Sequence, residues 1–437
     1  MKIPRFRALP ALFLFVSAPL VAAPTPSESD VAALWADLGA VYSDLHRHPE
    51  LSLHETRTAG FLAARLRRLG FDVTERVGGT GVVGVLRNGA GKTIMLRTEL
   101  DGLPVEEKTG LPDASRDRTR DDSGADVPTM HACGHDVHMT AWLGTAAMLA
   151  GAKGSWSGTA VFIAQPAEER GIGARAMLED GLFTRFPRPD AVIALHDIPT
   201  LDAGTVGFTS GPALSSADSV DLTIYGRGGH GAHPEATVDP IVIAARTILT
   251  LQTLVSRENN PLDPAIITVG SIHGGSKHNI ISDEVKLQLT VRAFDEDVRR
   301  KLLAGIERVA RAEAEAAGAP RAPEMKIVDV SSAVTVNDPA LTAEVARSLR
   351  RTLGDSRVFE VRPETASEDF SQFGKAGVPS VIFRLGAAAP GALEEARKAG
   401  KAVPSLHSGF FAPDRKATIE TGIRVETAVM LDLFGRR

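Results

Sequence analysis

The chain has 437 residues, 43% of them hydrophobic, with a formal net charge of −5 and a pI near 6.2. That length suffices for two domains and a large core, while the slight acidity gives no electrostatic case for nucleic acid or anionic membrane as a partner. The 41 Gly and 26 Pro, without a low-complexity tract or repeat, predict many short loops rather than disorder.

The N-terminus places Lys2, Arg5 and Arg7 before the apolar run ALPALFLFVSAPLVAA at residues 8–23. The run is short, interrupted by Pro, ends in small residues and precedes the linker-like PTPSESD. Residues 1–23 therefore read as a secretory signal peptide cleaved near Ala22 or Ala23. The mature protein is expected to be exported, to the periplasm or the medium, with no membrane association once the signal is removed.

Helices are expected over residues 29–45 and over HETRTAGFLAARLRRLGF, the second ended by Gly70. Two nucleotide-binding patterns then fail. Gly79-x-Gly81-x-x-Gly84 is followed by alternating apolar residues instead of a helix, and GKT at 91–93 has Leu86 where a phosphate loop needs glycine. The Asn88-Gly89 pair predicts a hairpin joining the strands on either side. No Gly-x-Ser-x-Gly elbow and no His-Glu-x-x-His helix occurs.

What recurs is an apolar strand with chemistry at its end. TIMLRTELD ends in Glu99 and Asp101, TAVFIAQPAEE in Glu168 and Glu169, and DAVIALHD in His196 and Asp197; PSVIFRLG is a further strand, with His407 beyond it in LHSG. Helical stretches such as HMTAWLGTAAMLAG and GARAMLEDGLF separate the strands, which predicts an α/β sheet covered on both faces. Ligands bind beyond the carboxyl ends of such strands, so these residues should converge.

The only cysteine, Cys133, lies in MHACGHDVHM between His131 and His135. One thiol cannot form an internal disulfide, so it is an apolar filler, a reactive thiol or a metal ligand. The flanking histidines favour the ligand, because residues two apart in an extended segment project to the same side.

A strand, helix, strand, strand, helix texture runs through residues 216–330. It predicts an α+β unit inserted between the two parts of a catalytic domain, 29–215 and 331–437.

The blocks LHRHPELSLHE, LRTELDGLPV, MHACGHDVHM, AQPAEERGIGARAML, GRGGHGAHPEATVDP, NIISDEVKLQLTVR and SEDFSQF occur in an order that resembles the M20 metallopeptidase family. The similarity is greatest to its amidohydrolase branch, which includes hippurate, N-acyl-amino-acid and auxin-conjugate hydrolases. The resemblance implies a zinc-peptidase-like catalytic domain, a mixed sheet flanked by helices, interrupted by an α+β dimerisation or lid domain, and a homodimer.

The resemblance also implies that Cys133, His135, Glu169, His196 and His407 are metal ligands and that Glu168 is the general base. One or two divalent ions are expected per subunit: zinc by donor type, with manganese, nickel and cobalt also compatible. By the same resemblance His230 reaches a neighbouring subunit's site, Asn279 and Arg292 hold a substrate carboxylate, and Asp101 orients a metal-site residue.

No role attaches to Glu99, where the branch usually has Asp, nor to His46, His48 or His131, while His138 and Asp136 read as loop or helix-end residues. Two departures stand out. The surroundings of His407 (LHSGFFAPDR) differ from the branch, and SRDRTRDDSGADVPT reads as an inserted polar loop at the pocket rim.

The expected activity is metal-dependent hydrolysis of the amide of an N-acyl amino acid or small peptide-like substrate. The alternatives are a dipeptidase or carboxypeptidase with the same machinery and a non-catalytic exported metal- or solute-binding protein.

Overall fold

A computed structural model describes residues 27–435; the segment read as a signal peptide lies outside the described residues. The strands of the two main sheets, in chain order, are β1 (Asp72–Val77), β2 (Gly81–Asn88), β3 (Thr93–Glu99), β4 (Gly158–Gln165), β5 (Ala191–Asp202), β6 (Val206–Phe208), β7 (Ala217–Tyr225), β8 (Ala265–Gly274), β9 (Glu284–Ala293), β10 (Glu324–Ser332), β11 (Val358–Glu360) and β12 (Ser380–Ala388). The main helices are α1 (Trp35–Arg47), α2 (Thr56–Arg68), α3 (His135–Gly151), α4 (Gly173–Glu179), α5 (Pro240–Thr253), α6 (Glu296–Ala316), α7 (Pro339–Leu353) and α8 (Arg415–Phe434).

Eight strands form one mixed sheet in the order β1-β2-β4-β3-β5-β12-β6-β11. At its centre β4, β3, β5 and β12 run parallel, so their carboxyl ends share one edge. Alternation along these strands sorts the two faces. Ile193, Leu195, Val381, Phe383 and Leu385 pack with α1, α2, α3, α7 and α8. Val192, Ala194, Ile382, Met95 and Ile163 pack with Met177 of α4 and with Phe370 and Phe373. Each fully buried Leu or Phe contributes ~1.5–3 kcal/mol, which makes this double-sided sheet the rigid part of the molecule. Helix α3 is buried around most of its circumference, as a helix enclosed by other elements must be.

Two local expectations are corrected. Gly89 does turn, at φ 85, yet β2 and β3 are not partners; β4 enters between them, antiparallel to β2 and parallel to β3. Turn chemistry locates a reversal but does not choose the neighbour, and the equally apolar β4 competes successfully for both edges. The helix predicted over GARAMLEDGLF is two short helices, broken where Gly181 adopts φ 89.

Between residues 217 and 332, four strands form a separate antiparallel sheet in the order β8-β9-β7-β10, and a two-stranded ribbon, Gly229–His230 with Ile280–Ile281, lies outside it. Leu222, Ile224, Leu287 and Val291 on one face bury against Ile243 of α5 and Ile306 of α6. The alternate positions Asp221, Thr223, Lys286 and Gln288 are partly or fully exposed, the pattern of a sheet wet on one side. Among the described residues, no helix is long and apolar enough to cross a membrane.

Candidate metal centre

Four chain segments bring their polar residues together beyond the carboxyl edge of the large sheet. Cys133 lies just before α3 and His135 is its first residue, the two joined by Gly134 at φ 77. Glu168 and Glu169 follow β4, and His196 ends the apolar part of β5. His407 comes from the loop before α8; its backbone N–H donates to the Ala132 carbonyl at 2.8 Å, which seats it beside the thiol.

Cys133 Sγ lies 3.5 Å from His196 Nε2 and 3.2 Å from His407 Nε2. His407 Nε2 is 3.5 Å from Glu169 Oε1, and His135 Nε2 is 3.8 Å from Glu168 Oε2. The five residues expected as ligands and the expected base are thus assembled in one place.

The proton arrangement fits a cation. His135 Nδ1 donates to the Asp101 carbonyl and His196 Nδ1 to the Asp197 carbonyl, each at 2.8 Å. In the neutral rings this leaves both Nε2 lone pairs facing the cluster, the tautomer that ligation needs. His135 Nε2 and Glu169 Oε1 are buried without a hydrogen-bond partner in the described protein. Such orphans are costly unless a ligand satisfies them. The sets Cys133–His135–His196, Cys133–Glu169–His407 and His135–Glu168–Glu169 each group their donor atoms within 4.8 Å. The residues present therefore fit one or two divalent ions, with a thiolate and imidazole set favouring zinc-like metals.

The electrostatics agree. Burial, then Glu169 and Glu168, pushes the Cys133 thiol well up, so a thiolate here needs a neighbouring positive charge. Burial lowers His135, but the hydrogen bond to Asp101 and the charges of Glu99 and Asp101 outweigh it and lift the ring to about 10, the mark of a surrounding that favours positive charge. Burial raises Glu169 to about 7, and burial together with Glu368 and Glu169 raises Glu168 well above the carboxylate range.

A supporting shell surrounds these groups. Asp101 Oδ2 accepts from Ser52 Oγ at 2.6 Å and from the Glu169 N–H at 3.0 Å, while Oδ1 lies 3.4 Å from His135 Nδ1. His138, read from sequence as a loop or helix-end residue, bridges Glu99 Oε2 and Asp197 Oδ1 at 3.0 Å each. His46 touches Asp136 at 2.6 Å and Glu107 at 3.2 Å, anchoring the start of α3.

Sequence reasoning missed Glu55 and Arg97. Glu55 Oε1 accepts from the Ala167 N–H at 2.8 Å, holding Ala167 at φ 49 so that the chain turns into Glu168. Arg97, fully buried below the site, pairs with Glu99, with Glu368 at 2.7 Å and with Asp369 at 3.2 Å. A charge inside an otherwise apolar strand was the available signal for it.

The residues of the second sheet unit divide. Arg292 lines the same cavity, of about 400 Å³, as Cys133, Glu168, His196 and His407. Its Nη1 donates to the Thr365 carbonyl at 2.7 Å. His230 and Asn279 do not line that cavity. They lie on a short exposed ribbon in which His230 pairs with Ile280 and the Gly231 N–H donates to the Asn279 carbonyl at 2.9 Å.

Residues 95–402 match the profile of peptidase family M20/M25/M40. The chain is 37% identical over 346 residues to the N-acetyl-L-cysteine deacetylase of Bacillus subtilis, covering 79% of each chain. It is likewise 37% identical to thermostable carboxypeptidase 1 of Saccharolobus solfataricus, over 78% of this chain and 84% of the relative. Among solved structures it is similar to the Bacillus subtilis YXEP protein, described as a dinuclear metal-binding peptidase, with a TM-score of 0.74 and 28% identity over 91% of this chain and 98% of the other.

Proposed function

The chain belongs to peptidase family M20/M25/M40 and is a metal-dependent hydrolase of that family; on that premise we propose that it cleaves the amide bond of N-acylated amino acids. The observation that carries the reading is Glu168, a buried acid next to a donor residue but turned toward His135 Nε2. A site that only stored metal has no use for it.

Cys133, His135, Glu169, His196 and His407 would hold the metal. When bound, a divalent ion lowers the pKa of a water and polarises a carbonyl oxygen. Glu168 takes the proton from the attacking water and returns it to the departing nitrogen, a role served by an environment that favours its protonated form. Arg292 orients the substrate through its carboxylate, for which a guanidinium offers a matching planar fork. His230 and Asn279, exposed on their ribbon, are suited to reach the site of a second copy, which is the basis for a homodimer.

The carboxypeptidase reading draws on the Saccharolobus relative and uses the same residues. Export rests on the basic and apolar character of residues 1–23 alone. Hydrolysis of N-acetyl, N-benzoyl and dipeptide substrates by metal-reconstituted protein tests the activity. Turnover of the acyl amino acids above the dipeptides supports the amidase, the reverse order supports the peptidase, and no turnover of either rejects both.

A further inference from the structure

Strand β12 carries Arg384 where its alternation calls for an apolar residue: Ile382, two positions earlier on the same face, is part of the core. Arg384 is in register with His196 on the neighbouring strand, so both side chains leave the sheet on the same face at the site. Its side chain is 9% exposed and lines the cavity that also holds Glu168 and Arg292.

A buried arginine with a structural task is tied down, as Arg97 is by Gln165, Glu99, Glu368 and Asp369. Arg384 is not. Among the described residues its guanidinium makes no hydrogen bond, and Nη2 is buried without a partner. Its one ion-pair contact is Glu364 Oε2 at 3.3 Å, outside hydrogen-bonding geometry, from a carboxylate that is 38% exposed at the cavity. A buried guanidinium whose hydrogen bonds are unmade and whose one counter-charge is partly in solvent is expensive to keep, so an arginine held in this state is poised for a ligand.

We propose that Arg384 binds a second carboxylate of the substrate, so that the preferred substrates are N-acyl amino acids carrying two carboxylates. The inference rests on the N-acyl amino acid reading above. Arg292 supplies one guanidinium fork and Arg384 the other, and the consecutive residues Glu364 and Thr365 contact one each, Glu364 pairing with Arg384 and the Thr365 carbonyl accepting from Arg292. The second carboxylate arrives either on the amino-acid side chain or on the acyl chain. It takes the place of Glu364 against the guanidinium.

The test compares kcat/KM of the metal-loaded enzyme within two matched pairs: N-acetyl-glutamate against N-acetyl-glutamine, and N-succinyl-alanine against its terminal amide. Wild type should favour the carboxylate member of one pair by about tenfold or more, through KM, as a charged hydrogen-bonded pair predicts. The pair that responds identifies the source of the carboxylate. Arg384→Gln should bring that ratio close to one, and Arg384→Lys should restore part of it.

Ratios near one for both pairs in wild type overturn the proposal, as does a preference that survives Arg384→Gln. An equal fall in kcat for every substrate also overturns it, because that assigns Arg384 to the chemistry instead. Calorimetric binding of the same pairs to Glu168→Gln protein, with and without Arg384→Gln, decides the matter without turnover. Absence of all hydrolysis then counts against the amidase reading, while the binding ratio still judges Arg384. Should Arg384→Gln not fold, the wild-type ratios stand, and Glu364→Gln should increase them by removing the competing carboxylate.

Discussion

The Asp197 carboxylate occupies the space that a side chain on Gly134 would need: a Cβ there would press on both of its oxygens at less than contact distance. Gly134 also sits at φ 77, between Cys133 and His135. Asp197 is fixed in turn by His138, so the turn between these two donor residues has no room to adjust.

Gly134→Ala should therefore disturb the site more than its size suggests. Left-handed strain costs about 1–3 kcal/mol, and the clash adds to it. Expected outcomes are a lowered Tm and a sharp fall in bound metal, read by calorimetry and by elemental analysis of the purified protein. Normal metal content would show that the turn tolerates a side chain.

The two adjacent glutamates should fail in different ways. Glu168→Gln should retain metal and lose turnover by about 10²–10⁴-fold, the range for a missing general acid or base. Glu169→Gln should bind metal more weakly. Metal titration against an indicator, beside kcat, separates them; the opposite pattern would exchange the two roles.

Glu426, inside α8, receives a hydrogen bond from Thr145 Oγ1 at 2.9 Å and is raised by burial from 4.5 to about 8. An acid whose folded pKa is raised stabilises least when ionised. Stability contributed by its neutral form is full below pH 4.5 and is lost as pH rises toward 8. Glu426→Gln keeps the neutral shape without the titration, so its Tm advantage over wild type should grow between pH 5 and pH 8. A constant difference across that range would mean that Glu426 is already ionised in the folded protein at pH 5, as it is in the unfolded chain.

If His230 serves a second subunit, His230→Ala and Glu168→Gln proteins should complement each other. In a mixed dimer one site regains both groups and the other loses both, so random equal exchange should restore about a quarter of wild-type activity by two-fold symmetry. Tagged co-purification must verify exchange. Confirmed mixed dimers without recovered activity would confine His230 to its own subunit or to no catalytic part.

Much of the site was legible because its residues sit at the ends of strands whose apolar alternation is plain, as with His196 after AVIAL and Glu168 after AVFIAQ. Cys133 announced itself through its histidine neighbours. The supporting shell was less visible, since its contacts depend on partners remote in sequence. Arg97 meets Glu368 271 positions later, and His46 meets Asp136 across 90. Strand order had the same limit: nothing between residues 81 and 99 shows that β4, more than fifty residues on, inserts between β2 and β3. Arg384 lies within the otherwise apolar PSVIFRL, and a guanidinium in such a run is the kind of local conflict that marks function.

Because Cys133 is the chain's only thiol and is buried, no covalent crosslink can form within the polypeptide. Maturation then needs no oxidase or isomerase, and the folded enzyme should be indifferent to reductants that dismantle disulfide-stapled proteins. Its point of attack is different. A chelator that strips the donor cluster leaves a knot of buried acids and imidazoles without its counter-charge, and agents of that kind, rather than thiols, should set its working lifetime.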